Sequence, residues 1–242
     1  MNITGLTDKG KVRDENQDSF VYGFLNDSIA FAGVFDGMGG AKSGKYASTV
    51  AAGGFEQKLK AADIEKLKSS PGKILTEILQ EINGSMYEQS CTNSEFHGMG
   101  TTAVAALFIN GIATIANVGD SRAYILDRQE CRQVTVDHSL VQGLIDMGTL
   151  TPEQAKKHPH RNVITRAMGT DDELEVDIFE EDVKNKKLLL CSDGLHGYFE
   201  PDYLQMIIMS NSDEDACELL TQQAIAAGGR DNITIVIVNC QS

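Results

Sequence analysis

The sequence predicts an α+β fold, in which strands and helices form separate groups. Several short apolar runs rich in valine, isoleucine and alanine have the length of strands, and tight turns join some of them. Amphipathic helical segments lie between groups of strands instead of after every strand. A doubly wound parallel sheet needs strict alternation of strands and helices, which this chain lacks. The order of elements therefore favours α+β.

The predicted strands share β-branched and aromatic residues and are bounded by turn residues. They are residues 28–35, 102–109, 112–118, 123–126, 187–191 and 233–238. The dipeptide Asn110-Gly111 between two of them is typical of a two-residue hairpin turn. It also divides the most apolar stretch of the chain, residues 101–118, so we expect two strands there and no membrane span.

Three helices are predicted at residues 44–59, at residues 73–89 and from near Ser212 onward. In the second of these, apolar side chains recur at the spacing that lines one helix face. The segment Thr151-Pro152-Glu153-Gln154 has the capping residues of a helix start. We predict that residues 139–167 are helical and polar and form a flap appended to the strands.

Composition limits the classes of partner and compartment. The chain has 35 acidic and 21 basic residues, a net charge of −14, and no basic cluster that would suit nucleic acid or an anionic membrane. Its five cysteines form no CxxC pair, and the amino-terminal residues lack the apolar core of a signal peptide. We expect a cytoplasmic protein, and the length of 242 residues allows one large domain or two small ones.

Four aspartates stand where an apolar run meets a glycine-containing turn: Asp36, Asp120, Asp193 and Asp231. One aspartate at a turn is common, because its side chain caps turn backbone. Four such carboxylates would repel one another if the strands share a sheet region, unless cations compensate them. Oxygen ligands of this kind suit Mg²⁺ or Mn²⁺, and no histidine or cysteine spacing suggests zinc. The pattern therefore predicts a divalent metal site.

The segment Arg13-Asp14-Glu15-Asn16-Gln17-Asp18 places a guanidinium close in sequence to several carboxylates. An isolated arginine is usually a solvated surface charge. Here Arg13 could hold two oxygens of an anionic group in a bidentate manner, while Asp18 orients water at the metal site.

These residues belong to six motifs that occur in order: RDENQD, VFDGMGG, GMGTTA, NVGDSRAY, LLLCSDGL and GGRDNIT. The series resembles that of the PP2C-type, metal-dependent Ser/Thr protein phosphatases, particularly their compact bacterial members. The similarity extends from about residue 7 to residue 238. It implies a four-layer αββα sandwich with a flap, and hydrolysis of phosphoserine and phosphothreonine by a hydroxide that bridges two metal ions.

The resemblance also implies roles for individual residues. Asp36 would bridge two Mn²⁺ or Mg²⁺ ions, with the Gly37 carbonyl on one of them. Asp193 and Asp231 would complete the second site, and Asp193 with Asp120 would form a third. The remaining implied roles are phosphate binding by Arg13 and water binding by Asp18 and Asn232. The implied partners are phosphorylated Ser/Thr proteins and a cognate bacterial Ser/Thr kinase, with the phosphatase acting as a monomer.

Two departures from the family pattern concern the proton donor and the substrate. Met38 follows Asp36-Gly37 where many eukaryotic members have a histidine proposed as general acid. A water held by the cations, or second to it His160, would then protonate the leaving oxygen. The sequence GLHGYFEP after Asp193 also differs from the usual family wording, which affects the expected substrate preference.

Three other interpretations compete with this one. Residues 39–45 fit the P-loop pattern GxxxxGK, but the next residue is Tyr46, where Mg²⁺ binding requires serine or threonine. Ser121 follows Gly119-Asp120 but lacks the closing glycine of a serine-hydrolase motif. The third alternative is a phosphatase-like binding module without catalytic turnover.

Overall fold

The computed structural model describes residues 1–40 and 43–240. Within these residues, strands form two antiparallel sheets, and helices cover the outer face of each sheet. The strands are β1 (Asn2–Asp8), β2 (Asp18–Asn26), β3 (Ile29–Met38), β4 (Gly100–Thr101), β5 (Ala103–Ile109), β6 (Ile112–Val118), β7 (Arg122–Leu126), β8 (Cys131–Gln133), β9 (Asp177–Asp182), β10 (Lys187–Cys191) and β11 (Ile233–Asn239). The helices are α1 (Ser43–Ala61), α2 (Ile64–Ser69), α3 (Pro71–Thr92), α4 (Leu140–Asp146), α5 (Pro152–Ala155), α6 (Asp193–His196), α7 (Pro201–Ser210) and α8 (Asp213–Ala227), with a 3-10 turn at Ser94–Phe96.

The two sheets have different strand orders, and both are antiparallel throughout. One sheet has the order β1-β11-β10-β7-β8, and the other has the order β2-β3-β5-β6-β9, with β4 added beside the end of β3. Strands distant in sequence are therefore neighbours in space: β1 pairs with β11 over their full lengths. This arrangement brings the two ends of the described chain into one sheet.

The inner strands are apolar throughout because both of their faces are buried. In β3, Ala30, Ala32 and Val34 face the core between the two sheets. Phe31 and Phe35 point the other way and pack in a second core with residues of α1 and α3. A third core lies on the far side of the other sheet, where β10 and β11 meet α7 and α8. The order of layers is helix, sheet, sheet, helix, which confirms the predicted αββα sandwich.

The structure confirms all six predicted strands, which are β3, β5, β6, β7, β10 and β11. Asn110 and Gly111 have φ of 54° and 81°, as the predicted hairpin turn requires. The predicted helices are α1, α3 and α8, and the Ser212 hydroxyl caps α8 by accepting from the Asp215 amide at 3.1 Å. β1, β2, β4, β8 and β9 are strands that the sequence reading missed.

The segment 139–167 contains less helix than predicted. It forms α4 and α5, and the capping box of Thr151 and Gln154 is present as expected. Residues 156–167 are not helical, so that part of the prediction is wrong. The backbone there forms isolated turns, such as the bond from the Val163 amide to the His160 carbonyl at 3.2 Å, and it also bonds across the segment. The Leu140 amide donates to the Val163 carbonyl at 2.8 Å, and Ser139 forms a bridge with Ile164.

Among residues 1–40 and 43–240, no helix has both the length and the apolar character that crossing a membrane requires.

Candidate active site

One cavity of about 210 Å³ opens where the two sheets and the segment 139–167 meet. All four strand-end aspartates line it, together with Arg13 and Gly37. Its lining residues are Arg13, Gln17, Asp36, Gly37, Met38, Gly39, Thr102, Asp120, Asn162, Ile164, Asp193 and Asp231. The structure thus gathers side chains that are as many as 218 positions apart in the sequence. Asp18 and Asn232 lie behind this lining and form hydrogen bonds with the segments of the chain that contain the lining residues.

Asp36 is held firmly at the end of β3. Its amide donates to the Thr102 hydroxyl at 3.0 Å, and its carbonyl accepts from the Thr102 amide at 2.9 Å. Asp18 is directly opposite Asp36 in the pairing of β2 with β3. Two carboxylates therefore face each other across adjacent strands.

Asp18 is buried, and one side of its carboxylate is fully engaged. Its Oδ2 accepts from the Ser192 hydroxyl at 2.7 Å and from the Thr234 hydroxyl at 2.6 Å. Its Oδ1 receives no hydrogen bond from a donor among the described residues. Burial raises the pKa of Asp18 to about 6, although these two hydroxyls favour the ionised form.

Asp193 and Asp120 enter the cavity from the two neighbouring strands β10 and β7. Asp193 begins α6, directly after the buried end of β10, and its Oδ1 is buried without a hydrogen-bond partner in the described part of the chain. Asp120 lies in the turn before β7. Burial, and next the charge of Asp137, raise the pKa of Asp120 to about 6.

The carboxylates lack sufficient positive charge around them. Burial, followed by the charges of Asp18 and Asp193, raises the pKa of Asp36 well above its usual range. Burial and the charges of Asp120 and Asp231 do the same for Asp193. A divalent cation would remove this electrostatic cost, and the available oxygen donors are those that Mg²⁺ and Mn²⁺ prefer. The residues present therefore fit such ions.

Protein donors hold some of these carboxylates away from a common centre. Among residues 1–40 and 43–240, no three His, Cys, Asp or Glu side chains converge as a ready-made metal site. Arg13 Nη2 donates to Asp231 Oδ2 at 2.7 Å, and the Asn232 amide donates to Asp231 Oδ1 at 2.9 Å. The Arg13 side chain is half exposed at the cavity mouth. This ion pair partly neutralises both groups, so Arg13 and Asp231 each bind any other charged group in competition with the other.

Asn232 braces the segment that carries Arg13. Its Nδ2 donates to the carbonyls of Lys9 and Glu15 at 2.9 and 3.0 Å, and its Oδ1 accepts from the Gln17 amide at 2.8 Å. These contacts fix the path of the backbone on both sides of Arg13. The predicted contact of Asn232 with water at the metal site stays a prediction.

Gly37 occupies a position that has no room for a side chain. A Cβ there would collide with the backbone carbonyls of Gly44 and Gln17. The Gly37 amide donates to the same Gln17 carbonyl at 3.2 Å. Glycine is thus required for the close packing of β3 against the start of α1.

Comparison with known proteins places the chain in a family. The model of the family described as Protein phosphatase 2C matches residues 4–142, more than half of the chain. The serine/threonine phosphatase stp of Listeria monocytogenes is 35% identical over 240 residues, which cover 98% of this chain and 95% of that protein. The chain belongs to the protein phosphatase 2C family.

Other protein phosphatase 2C relatives agree over the full chain. Protein phosphatase PhpP of Streptococcus pneumoniae is 34% identical, covering 99% of this chain and 97% of its own. The crystal structure of serine/threonine phosphatase Stp1 from Staphylococcus aureus superposes with a TM-score of 0.93 at 34% identity, over 98% of this chain and 94% of that one. The chain is therefore a protein phosphatase of a metal-dependent family.

Membership of the protein phosphatase 2C family excludes the P-loop and serine-hydrolase interpretations, and local contacts agree. Lys45 Nζ donates to the Asp18 carbonyl at 2.9 Å, so it supports β2 instead of a nucleotide. Ala41 and Lys42, also part of the P-loop match, lie outside the described residues. The Ser121 hydroxyl bonds to the Thr102 hydroxyl at 2.7 Å, and in the described part of the chain no histidine bonds to it.

Sequence reasoning missed the residues that support the carboxylates of this protein phosphatase 2C site. Ser192 and Thr234 hold Asp18, and Thr102 holds Asp36. Each hydroxyl lies within a motif or strand that was recognised, but the sequence contains no signal for a contact across 174 or 216 positions. Asn162 and Ile164 were likewise not singled out within the predicted flap, and they line the cavity where His160 does not.

Proposed function

We propose that this protein phosphatase hydrolyses phosphoserine and phosphothreonine in proteins, with two Mn²⁺ or Mg²⁺ ions in the cavity described above. The observation that supports this most is the arrangement of the carboxylates. Asp36, Asp120, Asp193 and Asp231 come from four separate strand ends and line one cavity, and burial and mutual repulsion disfavour the ionised forms of Asp36 and Asp193. Such a cluster is suited to holding divalent cations.

Different residues would hold different ions. Asp36 would contact both, with the Gly37 carbonyl on one, and Asp193 and Asp231 would complete the other. Asp120 with Asp193 would take a third ion, and Asp18 and Asn232 would hold water at the site. When bound, the cations make a water molecule acidic enough to attack phosphorus near neutral pH and neutralise charge on the phosphoryl oxygens.

Arg13 is the residue of this chain that would bind the phosphate itself. Its planar guanidinium can donate two parallel hydrogen bonds to phosphoryl oxygens. In the structure it donates instead to Asp231. A cation that takes up the charge of Asp231 would weaken this ion pair and leave the guanidinium available for substrate. Attack of water in line with the serine or threonine oxygen then needs no covalent phosphoenzyme.

The leaving oxygen needs a proton, and we identify no side chain in the cavity lining as the acid that supplies it. Met38 lines the cavity at the position after Gly37 and has no proton to give. His160 is exposed and lies outside the lining. We therefore assign this proton to water at the site, with His160 as the weaker candidate.

The same proposal includes the domain organisation, the partners and the compartment of the protein. Residues 1–242 would form one phosphatase domain, and residues 139–167 would act as its flap, because Asn162 and Ile164 of that segment line the cavity. The partners would be phosphorylated proteins and a Ser/Thr kinase that the enzyme opposes. Five free cysteines support a reducing compartment such as the cytoplasm, and we propose a monomer there.

Phosphate release from a phosphothreonine peptide, with Mn²⁺ or with EDTA, tests the proposal. We expect release only with the metal, and a fall of at least about 10²-fold in folded Asp36→Asn and Asp193→Asn variants. Asp27→Asn is the matched control, because Asp27 is exposed in the turn between β2 and β3, away from the cavity lining.

Two results would contradict this assignment. Full activity of a folded Asp36→Asn protein would remove Asp36 from the site. Absence of turnover by the wild-type protein with both metals and several phosphopeptides would favour the alternative of a binding module without catalysis.

A further inference from the structure

The turn between β6 and β7, residues 119–121, carries Asp120 into the cavity, and we name it the Asp120 turn. Asp120 itself is the only acidic residue of this turn. Two histidines bond to its backbone from opposite sides, His138 before the segment 139–167 and His196 in α6. Neither imidazole lines the cavity. Their contacts instead determine where the Asp120 carboxylate can lie.

His138 holds the amino-terminal side of the Asp120 turn. The Gly119 amide donates to His138 Nδ1 at 3.0 Å, and the His138 amide donates to the Gly119 carbonyl at 2.9 Å. Because Nδ1 accepts, the ring proton of neutral His138 is on Nε2, which lies 3.2 Å from Asp177 Oδ2 and 3.0 Å from Arg166 Nη1. A guanidinium nitrogen cannot accept a hydrogen bond, so the Nε2 proton is directed to the Asp177 carboxylate. The imidazole therefore has a partner at each nitrogen and a fixed orientation.

The same histidine connects the turn to the end of the segment 139–167. The His138 carbonyl accepts from the Thr165 amide at 2.8 Å. Arg166, the next residue, donates from Nη1 to Asp177 Oδ1 at 2.7 Å, on the carboxylate that also contacts the His138 ring. A displacement of the returning end of this segment would thus be transmitted to Gly119.

His196 holds the other side of the Asp120 turn. Its Nε2 lies 3.0 Å from the Asp120 carbonyl, and since a carbonyl only accepts, Nε2 carries the proton. His196 ends α6, which begins with Asp193. One short helix therefore contains Asp193 and the donor that fixes the backbone of Asp120. This histidine lies in GLHGYFEP, the stretch that departs from the usual family sequence.

We propose that His138 and His196 are positioning residues, which hold Asp120 at the distance from Asp193 that a shared divalent cation requires. This inference rests on the proposed role of Asp120 as a cation ligand. Neither histidine touches substrate or cation. Each acts through one backbone group of the turn: His138 Nδ1 accepts a hydrogen bond from the Gly119 amide, and His196 Nε2 donates one to the Asp120 carbonyl.

Substitutions of similar shape distinguish the effect of these hydrogen bonds from the effect of side-chain packing. Asn can place an acceptor where His138 has Nδ1, and Gln can place a donor where His196 has Nε2. His138→Leu and His196→Leu fill similar space without the polar atom. The readout is Mn²⁺ binding to the EDTA-treated full chain by isothermal titration calorimetry, with amide hydrogen exchange at Gly119 measured by NMR.

We expect each leucine variant to weaken about tenfold the Mn²⁺ binding step that Asp120→Asn also weakens, the effect of about one net hydrogen bond. His138→Asn and His196→Gln should bind within about threefold of the wild-type affinity. The Gly119 amide should exchange faster in His138→Leu than in His138→Asn. If a leucine variant does not fold, the mismatched pair His138→Gln and His196→Asn replaces it, with the same loss expected.

Two further variants make the result decisive. Asn83→Leu removes a buried hydrogen bond to the Gly169 amide, away from the Asp120 turn, and should lower stability without changing Mn²⁺ affinity. Asp120→Asn should weaken the same binding step. The histidine proposal is wrong if Asp120→Asn weakens this Mn²⁺ binding step but the leucine and mismatched variants do not. It is also wrong if His138→Asn and His196→Gln bind Mn²⁺ as weakly as the leucine variants. If Asp120→Asn binds Mn²⁺ like the wild type, the cation role of Asp120 fails first.

Discussion

Asp18 and Asp193 each keep one carboxylate oxygen in the protein interior that receives no hydrogen bond from any donor in residues 1–40 and 43–240. A buried polar atom without a partner costs free energy, so its retention calls for a compensating ligand. The other oxygen of Asp18 is tightly held by Ser192 and Thr234. The protein thus sets the orientation of this carboxylate, which lies behind the cavity lining.

In the proposed site Arg13 would compete with cations for Asp231, so its removal should have two opposite effects. Arg13→Ala should raise KM for a phosphopeptide about tenfold or more, with a smaller effect on kcat, because a bidentate contact to phosphate is lost. Mn²⁺ should bind more tightly, because the competing positive charge is gone. Steady-state kinetics and calorimetry measure the two effects.

Arg132→Ala is the matched control for Arg13. Arg132 also forms an exposed ion pair, with Glu181, but it does not line the cavity. Its KM should equal that of the wild type. An unchanged KM in Arg13→Ala would exclude Arg13 from phosphate binding.

At the level of single residues, the sequence predicted the carboxylates of the site but not the hydroxyl groups that hold them. Asp36, Asp120, Asp193 and Asp231 were identified because each ends or begins an apolar run beside a glycine. The hydroxyl of Thr234 gave no comparable signal. It lies within a strand, and only the pairing of sheets in three dimensions brings it to Asp18.

Among the elements, the predicted strands are the inner strands of the two sheets, and the missed ones are at the edges. β1 and β8 border one sheet, β2 and β9 border the other, and β4 has only two residues. Inner strands are covered on both faces, so they are continuous apolar runs. Edge strands such as β9, with the sequence DIFEED, are partly exposed and charged. These segments are strands because they pair with a neighbouring strand, and the local sequence carries no signal for that pairing.

The junction of β3 and α1 gives a prediction about packing between elements. Gly37→Ala should lower the free energy of unfolding by about 1–3 kcal/mol, because the added methyl group would meet two backbone carbonyls that cannot rotate away. It should also weaken Mn²⁺ binding by moving Asp36. Urea unfolding and calorimetry measure these changes.

Gly53→Ala provides the control within α1. Gly53 is in the interior of the helix, and a Cβ there meets nothing within 4 Å. The substitution should stabilise the protein by about 0.5–1 kcal/mol through the better helix propensity of alanine. Equal stability of Gly37→Ala and the wild type would show that β3 and α1 are not packed as described.

For the whole molecule, the excess of negative charge has two parts with different consequences. Most acidic side chains are on the surface, where solvent screens their contribution to the net charge of −14. The carboxylates of the cavity are half-buried and close together, and their repulsion opposes folding when no cation is present. The fold therefore contains a locally unfavourable cluster whose cost a divalent cation would remove.

This cluster predicts how stability depends on pH in the absence of metal. Burial raises the pKa of Asp18 and Asp120 to about 6 and raises those of Asp36 and Asp193 further above the usual range. Carboxyls whose pKa is raised by folding bind protons more tightly in the folded state. Their stabilising protonation is complete below about pH 4, the pKa in the unfolded chain, and is lost as the pH rises through 6.

Buried histidines act in the opposite direction and must be separated from this effect. Burial lowers the pKa of His196 to about 3, so the unfolded chain takes up protons first as the pH falls below about 6.5, and stability decreases. The comparison of wild type with Asp193→Asn cancels this contribution, because both proteins have the same histidines. The difference in Tm between the two proteins therefore reports on the carboxylates.

In EDTA, Asp193→Asn should have nearly the wild-type Tm at pH 5, where the cluster still holds protons. At pH 7.5 its Tm should be higher by about 2–8 °C, because one buried charge and its repulsion are absent. Saturating Mn²⁺ should reverse the order at pH 7.5, since the wild type gains a ligand–cation interaction that the variant lacks. Differential scanning calorimetry measures these three differences in Tm between the variant and the wild type. An Asp193→Asn protein less stable than the wild type in EDTA at pH 7.5 would mean that Asp193 already has a compensating positive partner, and the case for a cation at this position would lose its electrostatic basis.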